Sequence, residues 1–263
     1  EESWLRITKH ANSGLRKGDL LRYSTGIQAS SSQGPGHWDC HKFEPDIHLW
    51  NMDCMDYMDR CEDNTFDLAI VDPPYGISAS NYKRGGTKYG QMKTFSREYS
   101  IKEWDHSPPG QEYFEQLMRT SKNQVIWGTN HFISKMPFDS SCWIVWDKNN
   151  GTNQYADCEL AWTSFKTSVK IFQWTWHGML QHDMKNKDKR IHPTQKPVAL
   201  YRWILMKYAK PGDKILDTHA GSYSSAVAAW KEGFHYTGIE IDQEYFNKGV
   251  ERLDIETRQL SIF

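Results

Sequence analysis

The sequence predicts an α/β protein with a doubly wound, mostly parallel sheet. Three observations carry that prediction. Short apolar, β-branched runs alternate with stretches of helical length. Proline and glycine punctuate the joints, at Pro73-Pro74, Pro108-Pro109-Gly110 and Pro211-Gly212. The 263 residues suffice for one large domain with a sizeable core.

In chain order, Ile47 to Met52 reads as a strand and Cys54 to Arg60 as a short helix. Phe66-Asp67-Leu68-Ala69-Ile70-Val71 has the length and composition of a core strand. A polar segment from Ile77 to Ser100 reads as a long loop. A helix over Gln111 to Thr120 follows, then strands at 124–127, 142–146 and 159–162. Lys166 to Lys196 is basic and irregular. Pro197 opens a helix that runs to Tyr208, with proline at the first position. The last β-α-β unit has strands at 214–218 and 236–241 around a helix at 222–232, and a final helix starts at Gln243. There is no internal repeat.

Residues 1–45 are expected to be a flexible or peripheral N-terminal segment, because 24–36 is rich in Ser, Gly and Gln. Residues 46–263 are expected to form a single domain, with a small insertion at about 166–191.

Composition narrows the function classes. The net charge of −1 leaves nucleic-acid contact to local basic patches. Two such patches stand out: Lys83, Arg84, Lys88 and Lys93, interleaved with aromatic residues, and Lys185, Lys187, Lys189 and Arg190. The 12 Trp and 13 Tyr can pack a core or stack on a base. None of the five cysteines forms a CxxC pair, so neither a disulfide scaffold nor a zinc ribbon is indicated. His37, Cys40 and His41 are close together but lack a second ligand pair, and no metal is expected. With no long apolar span and no signal-peptide pattern, a soluble, intracellular protein is expected.

Two motifs carry chemistry. Asp72-Pro73-Pro74-Tyr75 follows the central strand, and its prolines end the ladder in a stiff turn. A carboxylate and an aromatic ring are thereby held at a strand end, where α/β sheets bind ligands. Such a pair can grip a flat ring that bears an amine. In the second motif, Lys214 to Ser225 reads as strand, tight turn and helix, with Gly221 at the turn. Glu240 ends the next strand, at a spacing that suits ribose hydroxyls. On spacing alone this motif suits any adenosine cofactor, a dinucleotide included.

Together the motifs resemble those of the amino-methylating DNA methyltransferases, which use S-adenosylmethionine. Asn51-Met52-Asp53-Cys54-Met55 and His192-Pro193-Thr194-Gln195-Lys196-Pro197 extend the resemblance to roughly residues 47–255. The catalytic motif comes first and the cofactor glycine last, the permuted order of the β class. The resemblance implies a Rossmann-like methyltransferase sheet and transfer of a methyl group to the 6-amino group of adenine in DNA. It implies that the target base is flipped out of the duplex onto Asp72, Pro73, Pro74 and Tyr75. Asp53 and Cys54 are expected near the cofactor's adenine, although Asp53 also reads as a helix N-cap. Thr194 and Lys196 are expected near its ribose or methionine end, with Lys196 pairing the carboxylate. Asp72, Asp217, His219, Gly221, Ser222, Glu240 and Ile241 complete the expected cofactor set. The resemblance puts target recognition in the second basic stretch, where Trp174, Trp176 and His177 are rings that can stack on a base or equally pack in the core. Methylation of the cytosine 4-amino group and an inactive DNA-binding subunit remain alternatives. As partners beyond DNA, a homodimer and a cognate restriction enzyme fit the family, as does the cytoplasm of a bacterial or phage-infected cell. One departure stands out: Tyr223 replaces the family's second glycine, in a geometry expected to be helical.

Overall fold

The computed structural model describes residues 6–11, 37–43, 46–76, 107–151, 156–177 and 180–259. The strands are β1 (Arg6–Ala11), β2 (His37–Phe43), β3 (Ile47–Asn51), β4 (Phe66–Val71), β5 (Ser121–Trp127), β6 (Trp143–Asp147), β7 (Cys158–Thr163), β8 (Lys170–Gln173), β9 (Trp176–His177), β10 (Leu180–Gln181), β11 (Lys214–Asp217) and β12 (His235–Glu240). The helices are α1 (Cys54–Met58), α2 (Gln111–Thr120), α3 (Val198–Tyr208), α4 (Ser224–Glu232) and α5 (Gln243–Gln259).

The main sheet runs β1-β2-β3-β12-β11-β4-β5-β7-β6-β8, and β9 pairs with β10 apart from it. The central five strands, β3 to β5 in that order, are mutually parallel. Both flanks turn antiparallel, at the β2–β3 and β5–β7 pairs.

Apolar alternation buries both faces of this sheet. Leu68, Ile70, Val125, Trp127 and Ile215 pack with Leu200, Ile204, Val227 and Phe246 from α3, α4 and α5. Ala69, Val71, Ile126 and Leu216 point the other way, onto Tyr57, Met58, Tyr113, Phe114 and Leu117 of α1 and α2. The expected doubly wound sheet is therefore present. Among the described residues, no helix is long and apolar enough to cross a membrane.

Two expectations need correction. Within the segment 1–45, β2 pairs residue for residue with β3, Phe43 and Cys40 are buried, and β1 pairs with β2. The composition of 24–36, which lies outside the described residues, hid a sheet edge on either side of it. Within the expected insertion at 166–191, β8 joins the main sheet parallel to β6. Phe172 anchors it against Trp203, with ring centroids 5.4 Å apart.

Strand direction places the site. The carboxyl ends of the five parallel strands share one edge, and the segments that follow them all open there. Because β7 runs antiparallel to β5, it delivers its first residues, Cys158 and Glu159, to that same edge. The end of β6 arrives beside them, with Asp147 opposite Cys158.

Candidate active site

A cavity of about 930 Å³ occupies this edge. Its walls include Asp53, Cys54, Asp72, Pro73, Pro74, Tyr75, Thr194, Lys196, His219, Gly221, Ser222, Glu240 and Ile241. Both motifs and the hexapeptide before α3 thus face one space.

The catalytic corner is an ionic cluster. The Lys196 ammonium, 3 % exposed, lies 2.5 Å from Asp72 Oδ2 and 3.1 Å from Glu159 Oε2. It also donates to the Tyr75 hydroxyl at 3.1 Å. The Tyr75 hydroxyl donates to Asp72 Oδ1 at 2.6 Å. Lys148 closes the cluster from outside, 2.6 Å from Glu159 Oε1. Lys196 lines the cavity, and its ammonium faces Asp72 and Glu159 there. It is held in this corner of the cavity by two partly buried acids, of which Asp72 has Lys196 as its ion-pair partner and Glu159 has Lys148 as well.

The two acids differ in proton affinity. Burial raises the Asp72 carboxyl, Lys196 pulls it down, and the neighbouring Glu159 helps tip the balance upward. Burial works on Glu159 too, but Lys196 and Lys148 outweigh it and hold that carboxyl at about 2. The ammonium of Lys196 loses stability by burial and regains more from Asp72 and Glu159, so it stays charged. Asp72 is the more basic carboxylate of the pair.

Tyr75 is fixed on several sides. Its ring stacks on exposed His131, with centroids 5.0 Å apart and planes 16° from parallel. Gly128, at φ 69°, lies so close that a Cβ there would fall 1.9 Å from Tyr75 Cε1. A glycine is required at that turn on both counts.

The other half of the cavity is built on the glycine turn. Glu240 Oε2 accepts from Gly221 N at 2.9 Å, and Oε1 accepts from Asp242 N at 2.8 Å. Burial pushes its carboxyl up to about 7. A Cβ at Gly221 would meet the His192 ring at 3.7 Å, and His219 stands beside Tyr113. Burial pushes these imidazoles down to about 3 and about 4, so both stay neutral.

One expected cofactor contact, Asp217, lies off the cavity, Asp53 both caps a helix and lines the cavity, and Tyr223 departs from its expected geometry. Asp217 is buried beneath the turn, accepting from Ser225 Oγ at 2.5 Å and His219 N at 3.1 Å, and does not line the cavity. Asp53 caps α1 through Met55 N at 2.7 Å while still facing the space. Tyr223 is not helical: its φ is +56° and ψ 28°, just before α4. Its ring points down into the core, where Gly249 of α5 makes room: a Cβ there would sit 1.8 Å from Tyr223 Cδ2. Arg252 of α5 donates to Ser222 O and Ser224 Oγ and ties the same turn from below.

Of the basic residues, Lys83, Arg84, Lys88 and Lys93 lie outside the described residues. Lys185, Lys187 and Lys189 are exposed, away from the cavity walls. Arg190 lies 4.4 Å over the Trp176 ring. Trp176 itself is buried and donates to Gln195 O at 2.8 Å, so it is a core anchor and does not offer a stacking face. Trp174 is covered by His182 at 4.1 Å and Phe172 at 5.8 Å. The side chain of His177 is outside the described residues.

Sequence reasoning missed Glu159, Lys148, Gly128 and His131. The visible signals were a charged residue opening an apolar strand, Glu159 before Leu160-Ala161-Trp162, and a glycine directly after the strand that ends in Trp127.

Comparison with known proteins finds likeness to DNA methyltransferases. Residues 145–251 match the N6/N4 methyltransferase family profile described as DNA methylase. The type II methyltransferase M2.MboI of Moraxella bovis is 26 % identical over 242 residues, covering 77 % of this chain and 87 % of that one. The DNA adenine methyltransferase YhdJ of Escherichia coli K12 is 45 % identical over 64 residues, 24 % of this chain and 22 % of that one. A Thermus thermophilus protein solved with S-adenosyl-L-methionine superposes with a TM-score of 0.50 at 16 % identity, over 80 % of this chain and 95 % of that one. The family profile covers residues 145–251, the likeness to M2.MboI extends over 77 % of the chain, and the fold is shared with the Thermus protein.

Proposed function

We propose that this chain, a relative of the N6/N4 DNA methylases, transfers a methyl group from S-adenosylmethionine to the 6-amino group of adenine in DNA. The observation that carries this reading is the single cavity joining the Asp72–Tyr75 corner to the Gly221–Glu240 turn. The adenine choice is supported by the aspartate at the first motif position and by the YhdJ match.

The residues fit such a cofactor. The cavity is large enough for a nucleoside beside a base. Glu240, fixed by two backbone N–H groups, has spare lone pairs for ribose hydroxyls. Cys54, Thr194, His219, Gly221, Ser222 and Ile241 form the surrounding wall, and Asp53 lies at its rim. When bound, S-adenosylmethionine supplies an electrophilic methyl group on a sulfonium.

The chain's own residues act on the amine. An exocyclic amine is a weak nucleophile because its lone pair is delocalised into the ring. The Asp72 carboxylate and the Pro73 main-chain carbonyl accept its two hydrogens, which draws the nitrogen toward tetrahedral geometry and frees the pair. Asp72 keeps acceptor capacity for this beyond its bonds to Tyr75 and Lys196. Its raised proton affinity also suits it to take the proton that the methylated nitrogen sheds. Positioning and electrostatics then carry the rate without a covalent enzyme intermediate. A base must leave the duplex to reach this corner. His131 marks the Tyr75 face on which a flipped base would stack in its place, a contact worth about 1–3 kcal/mol. The exposed Lys185, Lys187 and Lys189 would neutralise phosphates outside the cavity, with Lys83, Arg84, Lys88 and Lys93 as further proposed contacts.

The test is transfer of labelled methyl from S-adenosylmethionine to unmethylated DNA, followed by nucleoside digestion and mass analysis. The expected product is N6-methyl-2′-deoxyadenosine. N4-methyl-2′-deoxycytidine would reassign the base, and no labelled nucleoside would overturn the reading.

A further inference from the structure

We infer that Glu159 is a positioning residue for this transfer: it shares Lys196 with Asp72 and so keeps Asp72 from being neutralised by a private ion pair. The inference rests on the methyltransferase reading above. It stands on geometry. One buried ammonium is placed between two carboxylates, 2.5 Å from Asp72 and 3.1 Å from Glu159. Glu159 lines the same cavity as Asp72 and is itself held from outside by Lys148, at 2.6 Å. The chain Asp72–Lys196–Glu159–Lys148 alternates in charge and spans from the catalytic corner to the rim.

The consequence follows from Coulomb's law in a site poor in water. With Glu159 present, Lys196 divides its attraction, and a second negative charge faces Asp72. Both effects leave Asp72 a better hydrogen acceptor. Without Glu159, Lys196 belongs to Asp72 alone and quenches it. The other groups that face Asp72 are Tyr75 on its own turn, Tyr201 on α3, Tyr113 on α2 and Asp217 on β11. Those tyrosines are held neutral by burial, and Asp217 acts in the same direction as Glu159. Glu159 and Lys148 are thus the tunable charges at the rim.

The experiment follows the Asp72 carboxyl carbon by NMR in ¹³C-aspartate-labelled protein, the signal assigned by its loss in Asp72→Asn. Glu159→Gln should move the titration midpoint of Asp72 to lower pH. Lys148→Gln, which leaves Glu159 unscreened, should move it to higher pH. In methyl transfer, Glu159→Gln should lose about ten- to a hundredfold in kcat, with the acid limb of the profile shifted to lower pH. KM for DNA and the affinity for S-adenosylmethionine should stay within about twofold, and Glu159→Asp should recover part of the loss. A Glu159→Gln midpoint that stays put or rises would overturn the inference, as would the same shift in both variants. The NMR arm needs no turnover. If the unaltered protein methylates no DNA, it is the methyltransferase reading that fails, and the midpoints still decide the electrostatic one.

Discussion

The two halves of the cavity are stabilised in contrasting ways. The catalytic corner matches the family pattern at all four motif residues, yet it depends on charges far away in sequence. Its cation arrives 121 residues later in the chain, and its second acid sits on an antiparallel strand. The glycine turn departs from the pattern at Tyr223, yet its path is kept by packing. A left-handed tyrosine there is strained, and α5 compensates with a glycine under the ring and an arginine under the turn. Motif residues can be retained while their partners stay hidden, and a motif residue can be lost while the geometry it served is rebuilt from below.

The sharpest way to break the comparison is at the corner. Asp72→Ala should lower kcat by about 10³-fold or more, since it removes the acceptor of the reacting amine. Lys196 keeps Glu159 as its partner in that variant, so the fold should survive and cofactor affinity should change little. Single-turnover assays beside a binding titration would separate the two effects. Loss of binding together with turnover would mean that the halves are not separable.

The turn offers a smaller, subtler test. Gly249→Ala drives a methyl into a ring buried on all sides and should destabilise by about 1–3 kcal/mol. In a Tyr223→Gly background the clash is gone, and the same change should be neutral or stabilising by up to about 1 kcal/mol, because alanine favours a helix. Denaturant unfolding of the four proteins closes the cycle. Additive effects would show that Gly249 does not make room for Tyr223.

These contrasts also explain what was legible in the sequence. The central strands were readable because a buried parallel strand needs an unbroken apolar run, as in Leu68 to Val71. The two motifs were readable because prolines and a glycine fix local turns. Glu159 was not, since only the direction of β7 brings its first residue to the cavity. Lys196 was found, but its ion pairs with Asp72 and Glu159 were not, because those neighbours are distant in sequence. Tyr223 was seen as a departure but expected to be helical, and its relief lay in Gly249, a glycine inside a helix that costs about 1 kcal/mol unless something needs the space. The N-terminal strands were masked by the Ser- and Gly-rich stretch between them, although Cys40 and Phe43 are buried.

The central claim is that the rebuilt turn and the catalytic corner form one working cavity. Calorimetric titration of S-adenosylmethionine into the unaltered protein tests it most directly. The account predicts saturable one-to-one binding with Tyr223 in place, weakened when Glu240 is changed to Gln. An absence of binding would contradict it and make Tyr223 the mark of a turn that no longer holds the cofactor.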